Sequence, residues 1–139
     1  MRVMKHLQKV NHIGYAVRNI NKTAQYYMDA GWELSKTYEE EVQHTRIAFL
    51  TKEGFPTIEL VAPLKEGEPS PVDNILQKIG CSTYHVCYDV DDIDEAVEDL
   101  FDEGFKPLFE PIPSVAMEGH KICYLFHLHV GLIELVSTK

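Results

Sequence analysis

Two histidines and two glutamates recur at equivalent places in the two halves of this 139-residue sequence. A shift of 73 residues brings His12 onto His85, and a shift of 75 brings Glu59 onto Glu134. Two imidazoles and two carboxylates suit Ni²⁺, Co²⁺, Zn²⁺, Fe²⁺ or Mn²⁺, and ligand types alone do not choose among these ions. Four side chains related by approximate two-fold symmetry can converge on a single point. We therefore predict one divalent metal ion held by these four residues.

The four residues lie within a longer repeat. The stretch NHIGYAVRNINKTAQYYMDAGW, residues 11–32, aligns with YHVCYDVDDIDEAVEDLFDEGF, residues 84–105. Two shorter pairs of segments match further along: IAFL at 47–50 with ICYL at 122–125, and IELV at 58–61 with IELV at 133–136. A half of about 65 residues would have a marginal core by itself. We therefore predict one domain in which two fused copies of a unit pack together.

Local patterns predict the order β-α-β-β-β in each copy. In residues 11–17, His12 alternates with large apolar residues, which is typical of a strand with two dissimilar faces. A segment with helical spacing follows and ends at Gly31, and residues 32–38 have the character of a second strand. We place module one at about 9–63, a linker with a short helix at about 64–81, and module two at about 82–139.

Strand alternation also decides how the two glutamates can be placed. In each IELV segment the glutamate lies between two large apolar residues, so its side chain points to the opposite face of the strand. A lone carboxylate on a strand usually faces solvent, and a buried histidine often does no more than fill a core. The symmetric recurrence of both residue types favours metal binding by Glu59, Glu134 and the two histidines.

The bulk composition excludes several classes of partner and location. A net charge of −9 argues against nucleic acid or an anionic membrane as partner. The 45% hydrophobic content is ordinary for a globular protein. Three cysteines without close pairing do not suggest a disulfide framework or a zinc knuckle. We see neither a signal peptide nor a membrane-spanning run, and we expect a cytoplasmic protein.

Several of these segments together resemble the vicinal oxygen chelate superfamily, which includes glyoxalase I, methylmalonyl-CoA epimerase, extradiol dioxygenases and bleomycin resistance proteins. The segments are NHIGYAV, IELVAPL, YHVCYDVDDID and GLIELV, and the similarity covers roughly residues 9–137. The resemblance implies an α+β fold in which two β-α-β-β-β modules form an open, cup-shaped sheet around the metal. It also implies a homodimer, and its metal ligands correspond to His12, Glu59, His85 and Glu134.

The resemblance implies an isomerase or lyase that moves a proton next to a carbonyl group bound by the metal, through an enediolate. Glu59 and Glu134 are the predicted catalytic residues, each as ligand and base. Epimerases usually have glutamine at the position of Glu59, whereas glyoxalase I has glutamate, so the ligand set favours a glyoxalase I-type lyase acting on a hemithioacetal. The alternative, favoured by overall likeness, is racemisation of an acyl-CoA thioester of the methylmalonyl-CoA type. A metal-free binding protein is a candidate of another class.

Four further basic residues are candidates for lesser roles. Arg46 and Lys121 are related by the shift of 75, and we predict that one of them neutralises a carboxylate or phosphate of the substrate. The alternative is that both are solvated surface cations. Epimerases place a glutamate base at the strand position that we assign to Arg46, and arginine cannot serve there as a base. His127 and His129 lack partners in the first half, so we expect supporting or surface roles for them.

Overall fold

The computed structural model of the chain describes residues 4–138. Contacts between residues divide the chain into two compact units. The N-terminal unit comprises residues 12–84, and the C-terminal unit joins the described residues of 85–139 to those of 1–11. Both boundaries fall inside a strand, which is assigned below to the unit that holds most of it. No pattern in the sequence predicted that the described residues before His12 group with the second half. The predicted module and linker boundaries stay a prediction.

The N-terminal unit has a mixed sheet with one longer helix and one short helix. Its elements are β1 (Val10–Ala16), α1 (Ile20–Asp29), β2 (Glu33–Leu34), β3 (Tyr38–Glu40), β4 (Thr45–Thr51), β5 (Thr57–Pro63) and α2 (Asp73–Lys78). The strands lie in the order β2-β4-β5-β1, and β3 also pairs with β4. Strands β1 and β5 are parallel, whereas β4 is antiparallel to β5.

The C-terminal unit repeats this arrangement. Its elements are β6 (Ser82–Val90), α3 (Ile93–Asp102), β7 (Lys106–Pro107), β8 (Ile112–Pro113), a 3₁₀ turn (Val115–Met117), β9 (Lys121–His127) and β10 (Gly131–Ser137). The strands lie in the order β6-β10-β9-β7, with β8 also paired to β9. Strands β6 and β10 are parallel, and β9 is antiparallel to β10. The α+β class and the open sheet are confirmed. The β-α-β-β-β order of the repeat is confirmed as well, with β2 and β3 in one unit, and β7 and β8 in the other, together forming one interrupted edge strand.

The two longer helices begin and end in the same way. The side chain of Asn19 accepts a hydrogen bond from the backbone N–H of Lys22 at 2.9 Å, and Asp92 accepts one from Glu95 at 3.1 Å. Each is an N-cap that satisfies a donor left open by the first helical turn. Each helix is followed by a glycine with φ of +95°, a backbone conformation that side chains disfavour.

Each of these helices covers one face of its own sheet. In the N-terminal unit, Ile20 and Ala24 of α1 pack in an apolar core with Leu50 and Leu60 from the strands. In the C-terminal unit the equivalent core holds the buried residues Ile93, Ala96, Leu100, Leu125 and Leu135. Because strand side chains alternate between faces, the residues between these apolar positions lie on the other face. That second face carries the predicted metal ligands, and we call it the ligand face.

The predicted strand at residues 32–38 is interrupted. Only β2 and β3 form ladders there, on either side of Ser35. The hydroxyl oxygen of Ser35 accepts the hydrogen bond from the backbone N–H of Phe49 at 2.8 Å, while the N–H of Ser35 donates to the carbonyl of Phe49 at 2.9 Å. A side chain thus takes the place of a backbone carbonyl in the ladder, and the strand is broken into two pieces.

The longest helices of residues 4–138 contain ten residues, and none of the helices there could cross a membrane.

Candidate active site

In the N-terminal unit, parallel strands place His12 and Glu59 on the same face. Gly14 of β1 is in register with Glu59 of β5, and His12 precedes Gly14 by two residues, so it points to the same side. The Nε2 atom of His12 lies 3.4 Å from the Oε2 atom of Glu59. Both residues are buried, with exposed fractions of 0% and 2%. The sequence prediction that Glu59 points away from the apolar core is confirmed.

In the C-terminal unit the same arrangement recurs with a shorter contact. Cys87 of β6 is in register with Glu134 of β10, and His85 precedes Cys87 by two residues. The Nε2 atom of His85 lies 2.9 Å from the Oε1 atom of Glu134, and both residues are buried. Each unit therefore holds one buried histidine–glutamate pair on its ligand face.

The chemistry of these buried residues fits a divalent transition metal. His12, Glu59, His85 and Glu134 each offer an imidazole nitrogen or a carboxylate oxygen from a buried position. Moving a carboxylate from water into a protein interior is costly unless an opposite charge or hydrogen bonds compensate for the lost hydration. Imidazole and carboxylate are ligands that Zn²⁺, Fe²⁺, Co²⁺, Ni²⁺ and Mn²⁺ all accept, so the identity of the ion stays open.

An aromatic residue stands directly across from each glutamate. Phe49 of β4 is opposite Glu59, and its ring centroid lies 6.0 Å from that of His12 in an edge-on contact. Tyr124 of β9 is opposite Glu134, and its ring centroid lies 5.1 Å from that of His85, also edge-on. The residue opposite the glutamate thus carries a phenol hydroxyl in the C-terminal unit and none in the N-terminal unit, where the nearby phenol belongs to Tyr38, whose ring packs edge-on against Phe49 at 6.1 Å between centroids. Tyr124 was not among the predicted site residues, although the paired segments IAFL and ICYL already contained this difference.

Cys123, next to Tyr124, belongs to the opposite face and is buried in the core beneath α3. Burial raises the pKa of its thiol to about 11, with a smaller contribution from the negative charge of Glu134. The Cys123 thiol therefore stays protonated at neutral pH. Its hydrogen donates to the carbonyl oxygen of Phe109, with a sulfur–oxygen distance of 3.1 Å. This cysteine stabilises the core and is not a candidate ligand.

Arg46 and Lys121, the predicted substrate-binding residues, lie on the helix-covered sides of their sheets. Arg46 alternates with Ala48 and Leu50, which pack in the core beneath α1. A guanidinium nitrogen of Arg46 lies 3.6 Å from an oxygen of Glu39, and both side chains are about half exposed. Their position gives no support to contact with a substrate on the ligand face, so the role of Arg46 in binding stays a prediction.

Lys121 has the equivalent placement in the C-terminal unit. It alternates with Cys123 and Leu125, and its Nζ atom lies 3.8 Å from an oxygen of Asp94 in the first turn of α3. Both side chains are at least half exposed. This pair supports the surface-cation alternative of the sequence analysis.

Strand β4 also shows which residue takes the place of the glutamate base that epimerases have on this strand. The ligand-face position beside Arg46 on β4 belongs to Ile47, which is in register with Val61 two residues beyond Glu59. Isoleucine can no more accept a proton than arginine can. Within β4 the ligand face carries Thr45, Ile47 and Phe49, and none of these is a carboxylate.

His127 and His129 lie at the turn between β9 and β10. The Nδ1 atom of His127 accepts a hydrogen bond from the backbone N–H of His129 at 3.0 Å. The ring of His127 packs on Phe105 with 4.5 Å between centroids. These contacts make His127 part of the packing at the turn, and the supporting or surface role expected of the pair stays a prediction.

A second group of ligand-type residues escaped the sequence analysis. His6 is buried, and its Nε2 atom lies 2.7 Å from an oxygen of Asp99 on α3. Lys5 donates a hydrogen bond of 2.9 Å to Glu95 on the same helix. These contacts fasten the N-terminal segment to α3. No local pattern could have revealed them, because His6 and Asp99 are 93 residues apart in the sequence.

Known proteins resemble this chain over most of its length. An ethylmalonyl-CoA/methylmalonyl-CoA epimerase of Cereibacter sphaeroides is 30% identical over 119 residues, which span 84% of this chain and 87% of that protein. The crystal structure of methylmalonyl-CoA epimerase from Mycobacterium tuberculosis superposes with a TM-score of 0.85 at 26% identity, covering all of this chain and 93% of the other.

A third similarity involves a ligand complex. A variant of Streptomyces coelicolor methylmalonyl-CoA epimerase, solved in complex with 2-nitronate-propionyl-CoA, has a TM-score of 0.79 and 30% identity. The match covers 96% of this chain and 99% of that protein. Finally, the family model described as Glyoxalase/Bleomycin resistance protein/Dioxygenase superfamily matches residues 11–124. The repeated fold and the family match agree with the expected vicinal oxygen chelate architecture, and the chain belongs to the glyoxalase/bleomycin resistance protein/dioxygenase superfamily.

Proposed function

We propose that this chain is an acyl-CoA epimerase of the methylmalonyl-CoA type. This was the alternative in the sequence analysis, and the similar proteins favour it over the glyoxalase I-type lyase. The observation that carries the proposal is the buried histidine–glutamate pair on the ligand face of each unit, at 3.4 Å and 2.9 Å. The similarity to epimerases, which covers 84% of the chain in one relative and 96% in another, supports the substrate class.

The two pairs, in this proposal, hold one divalent cation through His12, Glu59, His85 and Glu134. Neither pair alone offers more than two ligands, whereas resident catalytic ions generally have at least three protein ligands. Four such ligands would leave the ion able to bind oxygens of a substrate as well. A cation also offsets the cost of burying two carboxylates that are at most 3% exposed.

Epimerisation requires removal of a proton from one face of a carbon and return of a proton to the opposite face. The cation would supply Lewis acidity, which makes the hydrogen beside the thioester carbonyl more acidic. One glutamate takes this proton, and the electron pair of the broken C–H bond spreads into the carbonyl as an enolate. The carboxylic acid of the other glutamate then donates its proton to the opposite face. Each unit thus supplies one of the two acid–base groups.

One observation favours the glyoxalase I-type reaction as a second candidate. Residue 59 is a glutamate, which matches the ligand set that the resemblance assigns to glyoxalase I, whereas epimerases usually have glutamine there. Both reactions move a proton beside a carbonyl and need the same acid–base groups. They differ in the substrate, a hemithioacetal in one case and an acyl-CoA thioester in the other.

The two candidates are separated by assaying one preparation on both substrates. Protein purified without a histidine tag is reconstituted with Co²⁺ or Ni²⁺, and then given methylmalonyl-CoA in D₂O or the hemithioacetal of methylglyoxal. We expect inversion at C2 with incorporation of solvent deuterium, and at least 100-fold lower kcat/KM for the hemithioacetal. The reverse preference would make the chain a glyoxalase. Absence of bound metal and of both activities would favour a metal-free binding protein.

The expected homodimer and cytoplasmic location stay predictions. Light scattering of the purified protein measures the first, and a mass near twice that of the 15.9 kDa chain would confirm it.

A further inference from the structure

We propose that Tyr124 is a further catalytic residue, whose phenol donates a hydrogen bond to the anionic oxygen that develops on the substrate. This inference rests on the proposed function, because it needs a reaction that passes through an enolate. It concerns the residue directly opposite the glutamate on the neighbouring antiparallel strand, which is a tyrosine beside Glu134 and a phenylalanine beside Glu59.

The position of Tyr124 suits such a role. Residues directly opposite one another on antiparallel strands have Cβ atoms about 4.5–5.5 Å apart, and Tyr124 is directly opposite Glu134. Its ring lies edge-on to His85, with centroids 5.1 Å apart and an interplanar angle of 87°. The phenol therefore shares one patch of the ligand face with both proposed ligands of the C-terminal unit.

The ring of Tyr124 is held from more than one side. Phe109 contacts it with 5.9 Å between centroids and an angle of 66°, in addition to the contact with His85. Cys87, Ile122 and Val136 are buried in the apolar cluster against which Tyr124 packs. A donor whose orientation is fixed before reaction stabilises a developing charge more effectively than one that must reorient.

The residue opposite the glutamate differs between the two units. Phe49 occupies the matching position in the N-terminal unit, directly opposite Glu59 and edge-on to His12. A phenylalanine thus fills the same place on the same kind of sheet. An aromatic ring is common to both positions, but only the ring opposite Glu134 carries a hydroxyl; the phenol of Tyr38 in the N-terminal unit stands one ring further away, packed against Phe49. A phenol O–H donates a hydrogen bond, and an enolate oxygen or a carboxylate of the substrate can accept it.

The test replaces Tyr124 by phenylalanine, the residue found at the matching position. Full-length, metal-reconstituted Tyr124→Phe is titrated with 2-nitronate-propionyl-CoA, whose nitronate has the charge distribution of an enolate, and with propionyl-CoA, whose acyl group is uncharged. We expect at least tenfold weaker binding of the nitronate and a change of less than twofold for propionyl-CoA. A hydrogen bond that strengthens only as charge develops predicts this difference.

Kinetics give an independent measurement. We expect kcat for methylmalonyl-CoA to fall by about 10- to 1000-fold in Tyr124→Phe, with KM within about threefold of the wild-type value. Metal content should be unchanged, because no proposed ligand is altered. The matched control is Tyr88→Phe, which removes a phenol from the helix-covered face of the same unit, and it should leave both affinities and kcat unchanged.

The outcomes separate this inference from the proposed function. If wild-type protein epimerises methylmalonyl-CoA and Tyr124→Phe does so equally well, with equal nitronate affinity, the hydroxyl has only a packing role and the inference is wrong. Equal weakening of both ligands would also overturn it, because that result indicates a displaced pocket wall. If the wild-type protein neither epimerises methylmalonyl-CoA nor binds the nitronate, the proposed function fails and the inference fails with it.

Discussion

The two units place the same pair of residues on the same face of similar sheets, yet they surround the pair differently. In the N-terminal unit His12 and Glu59 are 3.4 Å apart, with Gly14 in register with the glutamate. In the C-terminal unit the corresponding atoms are 2.9 Å apart, and Cys87 takes the place of the glycine. The shared features are those that position a ligand. The differing features are the side chains beside that pair.

The aromatic positions opposite the glutamates extend this difference. Opposite Glu59 stands the apolar ring of Phe49, whereas opposite Glu134 the ring of Tyr124 carries a hydrogen-bond donor. Inversion at a carbon centre removes one proton and returns one, but the two transfers occur on opposite sides of the carbon. The two units can therefore be equivalent as sources of metal ligands and still differ in how they stabilise negative charge on the substrate.

The largest effects should come from substitution of the histidines, because each is a proposed ligand of the ion. These substitutions also test whether the two pairs hold one ion. We expect about one metal ion per chain in wild-type protein, and loss of nearly all of it in His12→Ala and equally in His85→Ala. Loss of ligands should also lower Tm, since an ion bound only to the folded state stabilises it by about 2.7 kcal/mol at 100 times its Kd. Elemental analysis and calorimetry measure the two quantities.

Independent ions would give a different pattern. If each unit held its own ion, the wild-type protein would contain two per chain and each variant would keep one of them. The control is His129→Ala, at the exposed turn between β9 and β10, which should retain the full metal content. Retention of metal in both His12→Ala and His85→Ala would reject the proposed ligand set.

The next effect concerns the glutamates as acid–base groups. Glu59→Gln and Glu134→Gln should each reduce turnover of methylmalonyl-CoA by about 10²- to 10⁴-fold, because an amide cannot carry the transferred proton. An amide oxygen can still bind a cation, so metal content should be measured beside activity. The two variants should lose turnover to a similar extent if each unit supplies one acid–base group.

An unequal result would show that the two units differ in proton transfer. If Glu59→Gln remains active while Glu134→Gln does not, Glu59 is a ligand only and the N-terminal unit lacks a proton carrier. That outcome would also fit the resemblance, since epimerases usually have glutamine at this position. Near-normal turnover in both variants would reject the glutamate mechanism.

Much of this arrangement was predictable because it depends on local alternation. In IELV the apolar neighbours of Glu59 and Glu134 fix the face of each carboxylate, and the recurrence of His12 at His85 suggested that the pairs are equivalent. Those features survive in the structure as buried pairs on the face away from the helices. The prediction worked where one face of a strand is clearly distinct from the other.

The face of Arg46 was harder to predict for the same physical reason. Strand β4 is apolar on both sides, with Ile47 and Phe49 on one face and Ala48 and Leu50 on the other. Alternation alone then cannot tell which face is covered by a helix. The interruption at Ser35 and the contact of His6 with Asp99 depend on partners distant in the sequence, so no local pattern contained them.

The smallest effects should come from the exposed cations. Arg46→Gln and Lys121→Gln should change KM for methylmalonyl-CoA by less than about twofold, because both side chains lie on the helix-covered sides and pair weakly with exposed acids. Exposed ion pairs contribute about 0–1 kcal/mol to stability, so the free energy of unfolding measured in urea should change by no more than that. A tenfold rise in KM in either variant would restore the predicted substrate contact. If only one variant showed it, the two units would differ in substrate binding as well as in the residues opposite their glutamates.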